Sequence, residues 1–415
     1  MIKKIKNFYN SINLIEKSLF ILFSLFPIAF VLGNFSINLL FFLISIIFII
    51  DTIVNKDYSF LKDPIFFLLI IFFLSLIINV FFSMHFVNSI PRVLKILLMI
   101  LFVLQSKRYI QKYPKEFEEI IFGFWSLVFF IVVLDGIFEI IFGFNTLGFS
   151  TQLTGRIAGF FGEELVLGGF FFSFCLIFTT YIASLNKNYK KLILIIISLL
   201  IVVSFLIGER SNFIKVFLSL SFLSFFLIKL KLKYFITSFI LLFSVLFLFI
   251  NFNDGANNRY YGQIKKIYSI NKINNYIKES PYGAHYNAAY KIFKEYPIFG
   301  IGIKNYRIES NKEKYKNDKY KWTKFRSTTH PHQIHYEFLS ETGIFGYLIF
   351  LIFILFSLFL SIKNYLKYKN TFQLSGILYV IFSLTPILPS GSFFSTFASG
   401  LFWINYSIMV SYNKE

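Results

Sequence analysis

A chain of 415 residues that is 56% hydrophobic and 21% aromatic, with a mean hydropathy of +0.68, cannot bury its apolar surface in a soluble fold. Apolar runs of about 20 residues recur along the whole length, and they are continuous rather than alternating. This pattern predicts an all-α integral membrane protein and excludes a membrane β-barrel. The single cysteine, Cys175, lies inside an apolar run, which excludes a disulfide framework and a thiolate metal site.

About twelve transmembrane helices are predicted, with boundaries that can shift by several residues. The predicted spans are 17–33, 36–53, 64–83, 89–105, 117–136, 164–184, 191–208, 212–229, 234–251, 343–362, 372–389 and 393–411. No small-residue cleavage site follows the first run, so we expect it to be retained as a helix. The chain then divides into helices 1–9 (residues 1–251), a large polar loop (252–342) and helices 10–12 (343–415).

The net charge of +20 is distributed as a membrane-orientation signal. About 20 lysine and arginine residues fall in the segments on one side of the membrane, whereas the short loops opposite carry only Arg92, Arg156 and Arg210. Because basic residues are retained in the cytoplasm, this asymmetry predicts that both termini are cytoplasmic and that the large loop is on the outer side. Membrane lipids are therefore expected partners, and nucleic acid is not.

Charges at the outer membrane face are costly unless they are paired or functional. Arg210 stands in a short outer turn (208–212) beside Glu209, where it can form a local ion pair or contact an anion. Arg156 lies in another outer loop. Lys95 lies further inside a span and has no evident partner. Apart from Lys95, Asp135 and Glu139, almost no charge is expected deep within a span.

The large loop has an excess of about eight basic residues and is too long to be structureless. A small and apolar face predicts a helix between Pro281 and Pro297, which the glycines of 298–302 then end. The lysine- and tyrosine-rich run 311–324 is expected to be a solvated, mobile excursion. The alternative is a surface that attracts anionic glycans or lipid head groups.

The end of this loop concentrates three of the five histidines, His330, His332 and His335, within six residues. Pro331 can open a helix but cannot occupy its interior, so a helix from about Gln333 would place His332 near its N-terminus. Imidazoles titrate near neutrality and can orient or deprotonate a hydroxyl group. The alternatives are a structural role at the interface, or a zinc site completed by Glu337.

The order His332-Gln333, nine residues, Gly343, two residues and Gly346 resembles the signature of the O-antigen ligase and polymerase superfamily. The His-Pro-His sequence around Pro331 and the upstream Tyr-Pro-Ile-Phe-Gly-Ile-Gly run at 296–302 are similar to that superfamily as well. The predicted fold, twelve transmembrane helices with one large periplasmic loop between the ninth and the tenth, also resembles that of the ligases. The resemblance covers about 65 residues by motif and nearly the whole chain by topology.

The resemblance implies a glycosyltransferase of the bacterial inner membrane that acts in lipopolysaccharide biosynthesis. Such enzymes take a glycan from undecaprenyl pyrophosphate at the periplasmic face and transfer it to an acceptor hydroxyl. The acceptor is lipid A–core in the ligases, another lipid-linked repeat unit in the polymerases, and a Ser, Thr or Tyr side chain in protein O-oligosaccharyltransferases. The resemblance implies inversion at the sugar carbon without a metal ion or another cofactor.

The resemblance also assigns residues. The essential histidine maps onto His332 and an outer-turn arginine onto Arg210, and these are the predicted catalytic residues. Some ligases have a second arginine in the large loop; Arg259 is the nearest candidate, but His285 stands close to the expected place. The candidate substrate-binding residues are Arg156, Glu209, Arg259, His285, His330 and Gln333.

Two classes other than an enzyme are compatible with many membrane helices. A transporter would keep its polar site near the membrane midplane, usually between repeated halves, whereas here the polar residues gather at one face. A non-catalytic membrane scaffold is the third interpretation. Within the enzyme class, a ligase is favoured over a polymerase because its topology and its His-Gln pattern match.

Overall fold

The computed structural model describes residues 2–151, 155–185, 190–228, 277–386 and 388–414, with four isolated positions between 228 and 277. All regular secondary structure within these residues is helical. The helices are α1 (Ile2–Ser11), α2 (Leu14–Ser24), α3 (Phe26–Leu32), α4 (Asn34–Asn55), α5 (Pro64–Phe81), α6 (Phe86–Lys112), α7 (Pro114–Phe142), α8 (Leu167–Leu185), α9 (Lys190–Leu206), α10 (Arg210–Ile228), α11 (Pro281–Glu295), α12 (Ile334–Tyr368), α13 (Thr371–Ser383) and α14 (Phe397–Ser411).

Seven of these helices, α4 to α8, α10 and α12, are long and apolar enough to cross a membrane. An eighth crossing results if α2 and α3, which meet at an angle of 50°, form one bent span. The prediction of an all-helical, multi-pass membrane protein is therefore confirmed. The first predicted span corresponds to this bent pair, and each of the others except the ninth corresponds to one helix. Helices α9, α13 and α14 are shorter than 18 residues. The ninth span, at 234–251, and the first part of the large loop lie almost wholly outside the described residues.

The predicted boundaries of the last two spans are wrong. They place 372–389 and 393–411 in the membrane as helix, whereas α13 ends at Ser383 and α14 begins at Phe397. The intervening segment, residues 384–396, contains two prolines and a glycine, which interrupt helical hydrogen bonding in spite of the apolar neighbours. We call this irregular stretch the linker segment. A helix as short as α13 rises only ~20 Å, less than the ~30 Å hydrocarbon core, so the linker segment is expected to lie at membrane depth.

Buried aromatic side chains pack α5, α12, α14 and the linker segment against each other. Phe72 of α5 stacks on Phe353 of α12 with ring centroids 4.9 Å apart. Phe393 of the linker segment packs edge-on against Phe72 and at a tilt against Trp403 of α14, and all four rings are buried. Since lipid chains are as apolar as these side chains, close packing rather than exclusion of water holds such helices together. The linker segment is thereby held inside the helix bundle.

The glycine-rich segment at 296–302 crosses over the beginning of α12. Four backbone hydrogen bonds join the two, including Gly302 N to Glu341 O at 2.9 Å and Ile344 N to Pro297 O at 2.8 Å. The side-chain amide of Asn79 in α5 donates to the carbonyl oxygens of Phe299 and Glu341 at 2.7 and 3.0 Å, which closes the crossing. The two sequence runs that carry the family resemblance are thus packed against each other.

Gly343 makes this crossing possible. Its φ of 65° and ψ of −171° interrupt the helical geometry of α12 and belong to a region that is essentially restricted to glycine. A Cβ atom at this position would lie 2.2 Å from the carbonyl oxygen of Ile298. The kink in α12 therefore requires both the conformational freedom and the small size of glycine.

We predict that Gly343→Ala severely lowers the unfolding temperature or abolishes the folded protein. The matched control is Gly148→Ala, because Gly148 also has a positive φ (83°) but no atom lies within 4 Å of the place that its added methyl group would occupy. In the control variant the added methyl group causes only backbone strain, which destabilises the folded protein by about 1–2 kcal/mol. The measurement is thermal unfolding of both variants in the same detergent, and equal losses would refute the importance of the crossing.

Candidate functional site

Helix α11 provides one wall of the site. Ser280 caps its N-terminus by accepting a hydrogen bond from Gly283 N at 3.0 Å, and Pro281 occupies the first turn, where a missing N–H has no cost. The predicted face of small residues is buried and allows α11 to lie close to α12. Tyr286 of α11 stacks on Tyr336 of α12 with ring centroids 5.1 Å apart. The same face of α11 carries His285, which is buried.

Three histidines from two distant parts of the chain form a cluster at this wall. The ring centroid of His332 lies 4.2 Å from that of His330 and 5.2 Å from that of His285. Tyr282 of α11 packs edge-on against His332 at 5.9 Å. The structure thus brings together three of the residues that sequence analysis singled out.

Two of the three imidazoles are held by hydrogen bonds. His285 Nδ1 lies 3.2 Å from the carbonyl oxygen of Arg326, and a carbonyl can only accept, so Nδ1 carries the proton. His330 Nε2 faces the carbonyl oxygen of Ser390 at 3.4 Å, and its Nδ1 is 3.0 Å from the hydroxyl of Thr329. In the described part of the chain the ring of His332 has no hydrogen-bond partner. His332 is half-buried, so its ring nitrogens are free to engage a substrate.

The cluster is neutral at physiological pH. Burial, followed by the neighbouring His285, lowers the pKa of His332 to about 4. Burial, followed by His332 and Lys304, lowers the pKa of His330 to about 3, and burial also lowers the pKa of His285. A neutral His332 presents a nitrogen lone pair as a hydrogen-bond acceptor.

The backbone of His332 is strained. Its φ of 56° places it in the left-handed region, which few non-glycine residues occupy. Ser390 N donates to the carbonyl oxygen of His332 at 2.9 Å and holds this conformation. Strained residues of this kind persist where the surroundings over-determine them, and they cluster at functional sites.

The neighbours of His332 have structural contacts. The side chain of Gln333 caps α12 by accepting from Tyr336 N at 3.0 Å, and its amide donates to the carbonyl oxygen of Pro386 at 2.6 Å. His335 contacts the hydroxyl of Tyr347 at 3.0 Å and the carbonyl oxygen of Leu384 at 2.8 Å. The predicted start of the helix near Gln333 is confirmed, and both side chains attach it to the linker segment.

Three lysines from three different elements converge on the linker segment. Lys95 of α6 donates to Thr396 Oγ1 at 3.0 Å, Lys215 of α10 to the carbonyl oxygen of Pro389 at 3.3 Å, and Lys304 to Ser392 Oγ at 2.7 Å. The linker segment therefore contacts both the histidine cluster and these three amines.

Among the described residues, one carboxylate forms an ion pair with these amines. Glu337 of α12 is fully buried, accepts hydrogen bonds from the hydroxyl of Ser392 and from Phe393 N (2.7 Å), and lies 4.0 Å from Lys304 Nζ. In the part of the chain that the structure describes, neither Lys95 nor Lys215 forms an ion pair. The site thus combines three buried or half-buried amines, one of them paired with a carboxylate, with the imidazoles of the histidine cluster.

Sequence analysis missed Lys215 and Lys304. Lys215 is a buried charge inside a predicted span, so the expectation that almost no charge lies deep in the spans beyond Lys95, Asp135 and Glu139 was wrong. Its position inside an apolar run was the available signal. Lys304 follows the glycine-rich run directly, but only the structure shows its positive φ of 63° and its contact with Ser392.

The outer arginines lie in a second polar group near α10. Arg156 Nη2 is 2.8 Å from Glu209 Oε1, and Glu209 also accepts from Asn212 Nδ2 at 2.6 Å. Glu209 is thus engaged with Arg156, and its local ion pair with Arg210 stays a prediction. Arg210 is half-buried at the start of α10, five residues or ~7.5 Å along the axis from Lys215.

A chain of contacts connects α10 to the histidines through Lys215. Lys215 contacts Pro389, and the adjacent Ser390 contacts both His330 and His332. The roles predicted for the arginines stay predictions. Arg259, the candidate for a second loop arginine, lies outside the described residues. Within the part that is described, no group of three or more His, Cys, Asp or Glu side chains is arranged to hold a metal ion.

The fold and the site define a multi-pass membrane protein whose polar site is built from loops at the helix ends. Residues 193–351 match the family described as O-antigen ligase, and this match includes Arg210, His285 and the histidine-rich motif. This match supports membership of the O-antigen ligase superfamily, as the motif resemblance predicted. The family acts on lipid-linked glycans and glycan acceptors, which indicates a glycosyltransferase of the ligase or polymerase type. No curated protein matches the chain at a significant level.

The low pKa of His332 predicts a loss of stability in mild acid. Above pH 6.5 the imidazole is neutral in both the folded and the unfolded chain, whereas below this pH the unfolded chain binds a proton that the folded protein resists until about pH 4. The unfolding temperature should therefore fall between pH 6.5 and 4, and His332→Gln should make this fall shallower. The control is His85→Gln, which replaces an exposed histidine. Identical pH profiles for the wild type and His332→Gln would contradict the assignment.

Proposed function

We propose that the protein transfers a glycan from undecaprenyl pyrophosphate to an acceptor hydroxyl at the periplasmic face of a bacterial inner membrane. Lipid A–core is the proposed acceptor, which makes the protein an O-antigen ligase. The observation that supports this proposal most strongly is the environment of His332. It is a neutral imidazole with no hydrogen-bond partner among the described residues, and it is held in a strained conformation by the linker segment, which three amines also contact.

In the proposed reaction the acceptor hydroxyl attacks the sugar carbon from the face opposite to the pyrophosphate. A new C–O bond forms, the bond to the pyrophosphate oxygen breaks, and the configuration at this carbon inverts. His332 accepts a hydrogen bond from the attacking hydroxyl and takes its proton as the bond forms. Because the imidazole is a weak base here, orienting the hydroxyl is as important as removing its proton.

The departing undecaprenyl pyrophosphate gains negative charge, which requires stabilisation by cations. Arg210 is the predicted contact, since its fixed fork of donors fits phosphate oxygens and does not lose its proton. Lys95 and Lys215 are further candidates because neither has a carboxylate partner among the described residues. Protein cations in this position would supply the charge that a divalent metal supplies elsewhere, which supports a metal-independent reaction.

The proposal is tested with purified protein in lipid nanodiscs, a lipid-linked glycan donor, lipid A–core and a chelator. We predict that His332→Ala lowers the transfer rate by about 10²–10⁴-fold, which is the rate enhancement that general-base catalysis usually provides. His85→Ala is the matched control and should keep the full rate. Both variants must show the same unfolding temperature as the wild type before their rates are compared.

Each outcome of this assay has a distinct meaning. Transfer to lipid A–core that survives chelation and is lost in His332→Ala supports a metal-independent ligase. Lengthening of the glycan on its lipid carrier, with lipid A–core unchanged, would identify a polymerase. Transfer to a Ser, Thr or Tyr side chain of an added protein would identify a protein O-oligosaccharyltransferase. If the wild type transfers nothing, the enzyme interpretation is wrong and a transporter becomes the better one.

The lysine group gives a second prediction. Lys95→Gln should lower the ratio kcat/KM for the donor by at least about tenfold, because hydrogen bonds to charged groups contribute about 1.5–3 kcal/mol. Thr396→Val is the control, since it removes the hydroxyl that Lys95 contacts and leaves the amine in place. Steady-state rates at several donor concentrations provide the measurement. An equal decrease in both variants would mean that Lys95 only supports the linker segment.

A further inference from the structure

A groove in the large loop lies beside the histidine cluster and is not used by the proposed reaction. Its cavity has a volume of about 570 Å³ and lies between the residues around 308 and those around 326. Two cations, Arg307 and Lys324, and two exposed apolar side chains, Ile308 and Phe325, line it. Phe325 is 63% exposed, which is unusual for an aromatic residue in a loop rich in lysine.

The cations of the groove are uncompensated. Among the described residues no carboxylate lines the cavity, and neither Arg307 nor Lys324 forms an ion pair or a side-chain hydrogen bond. The acids of this region are engaged elsewhere: Glu309 pairs with Lys312 at 2.6 Å and Glu313 with the buried Arg326 at 3.5 Å. The groove therefore favours an anionic ligand.

The walls of the groove are rigidly connected. The guanidinium of Arg326 donates to the carbonyl oxygens of Thr323, Asn311 and Lys312 at 2.8–3.1 Å. Ser327 Oγ donates to the carbonyl oxygen of Arg307 at 2.8 Å, which ties the two sides together. A preformed groove loses less conformational entropy when it binds a ligand than a mobile loop does.

The run 311–324 differs from the solvated, mobile excursion that its composition predicts. Its lysines are exposed, but Tyr315 is buried, and its hydroxyl lies 2.8 Å from a carboxylate oxygen of Glu295 and 2.8 Å from one of Glu309. This anchor fixes the run to the end of α11. The alternative expectation, a surface that attracts anionic ligands, agrees better with the structure.

We propose that this groove binds an acidic sugar of the glycan substrate, one that carries a carboxylate or a phosphate group. The fork of Arg307 fits a planar carboxylate, and Lys324 adds a second positive charge. The ring of Phe325 offers an apolar surface to the carbon face of a sugar, while the side-chain amide of Asn311 and the hydroxyl of Ser327 reach its hydroxyl groups. This combination of aromatic surface and polar groups is typical of a binding site for an amphipathic small molecule.

The position of the groove relates it to the reacting centre. Thr328, at its edge, donates from its hydroxyl to the carbonyl oxygen of His330 at 2.7 Å. From Thr328 to His332 the chain can span at most ~14 Å. A glycan with its acidic unit in the groove could therefore extend its reacting end to His332. The inference rests on the proposed function and adds to it the charge of the substrate.

The test measures equilibrium binding to the full-length protein in nanodiscs of neutral phosphatidylcholine. The probe is a fluorescently labelled oligogalacturonate, and its fully methyl-esterified form is the uncharged control of the same length. We expect the acid form to bind, and both the ester form and the double variant Arg307→Gln/Lys324→Gln to weaken binding by about tenfold or more. The matched control is Lys319→Gln/Lys321→Gln, which removes the same charge from the same loop outside the groove and should leave binding unchanged.

Three results would overturn the inference. The first is equal binding of the ester and acid forms, and the second is equal weakening by both double variants, which would indicate a diffuse charge effect. The third is displacement of the probe by anionic phosphatidylglycerol in the nanodisc, which would make a lipid head group the occupant. Because probe binding needs neither an acceptor nor a transfer step, failure of glycan transfer and failure of this inference can be told apart.

Discussion

The hydrogen bonds that satisfy the linker segment are the constraint on which the site depends. Irregular backbone at membrane depth is tolerated only where protein or a polar cavity provides partners for its N–H and C=O groups. Here Ser390 bonds to the backbone of His332 and to Ile334 N, and Phe393 N bonds to the buried carboxylate of Glu337. The contacts that make this short break between α13 and α14 possible therefore also hold His332 in its left-handed conformation.

Two kinds of side chain meet at the linker segment. Burial keeps the imidazoles of His330 and His332 uncharged. Lys95 and Lys215 contact the segment from α6 and α10, and neither forms an ion pair among the described residues. A neutral acceptor for a proton and cations for a leaving group are complementary requirements of group transfer. If an amine lay within hydrogen-bond distance of the His332 ring, it would donate to the imidazole nitrogen. The lone pair of that nitrogen would then not be free to accept a proton.

The site is also more extensive than the part of the chain that defines the family. Residues 193–351 contain Arg210, His285, Lys304 and His332. Lys95 and the linker segment lie outside this range, yet they contact it through the bundle. Residues 193–351 thus supply the histidines and Gly343, at which the glycine-rich segment crosses α12. The flanking helices complete the charge distribution around them.

The amino-acid sequence determined the class of the fold, because continuous apolar runs leave a membrane-embedded helix as the only stable form. It also predicted α11 after Pro281, the start of α12 at Gln333 and the importance of His332, since these depend on local signals and a short motif. Only the tertiary structure decided that His285 joins His332 and that Lys215 reaches Pro389. These pairs are far apart in the sequence, and their proximity follows from helix packing, which composition and spacing do not encode. The end of α13 and the beginning of α14 were mispredicted for a related reason: apolar neighbours concealed a break that only protein partners could stabilise.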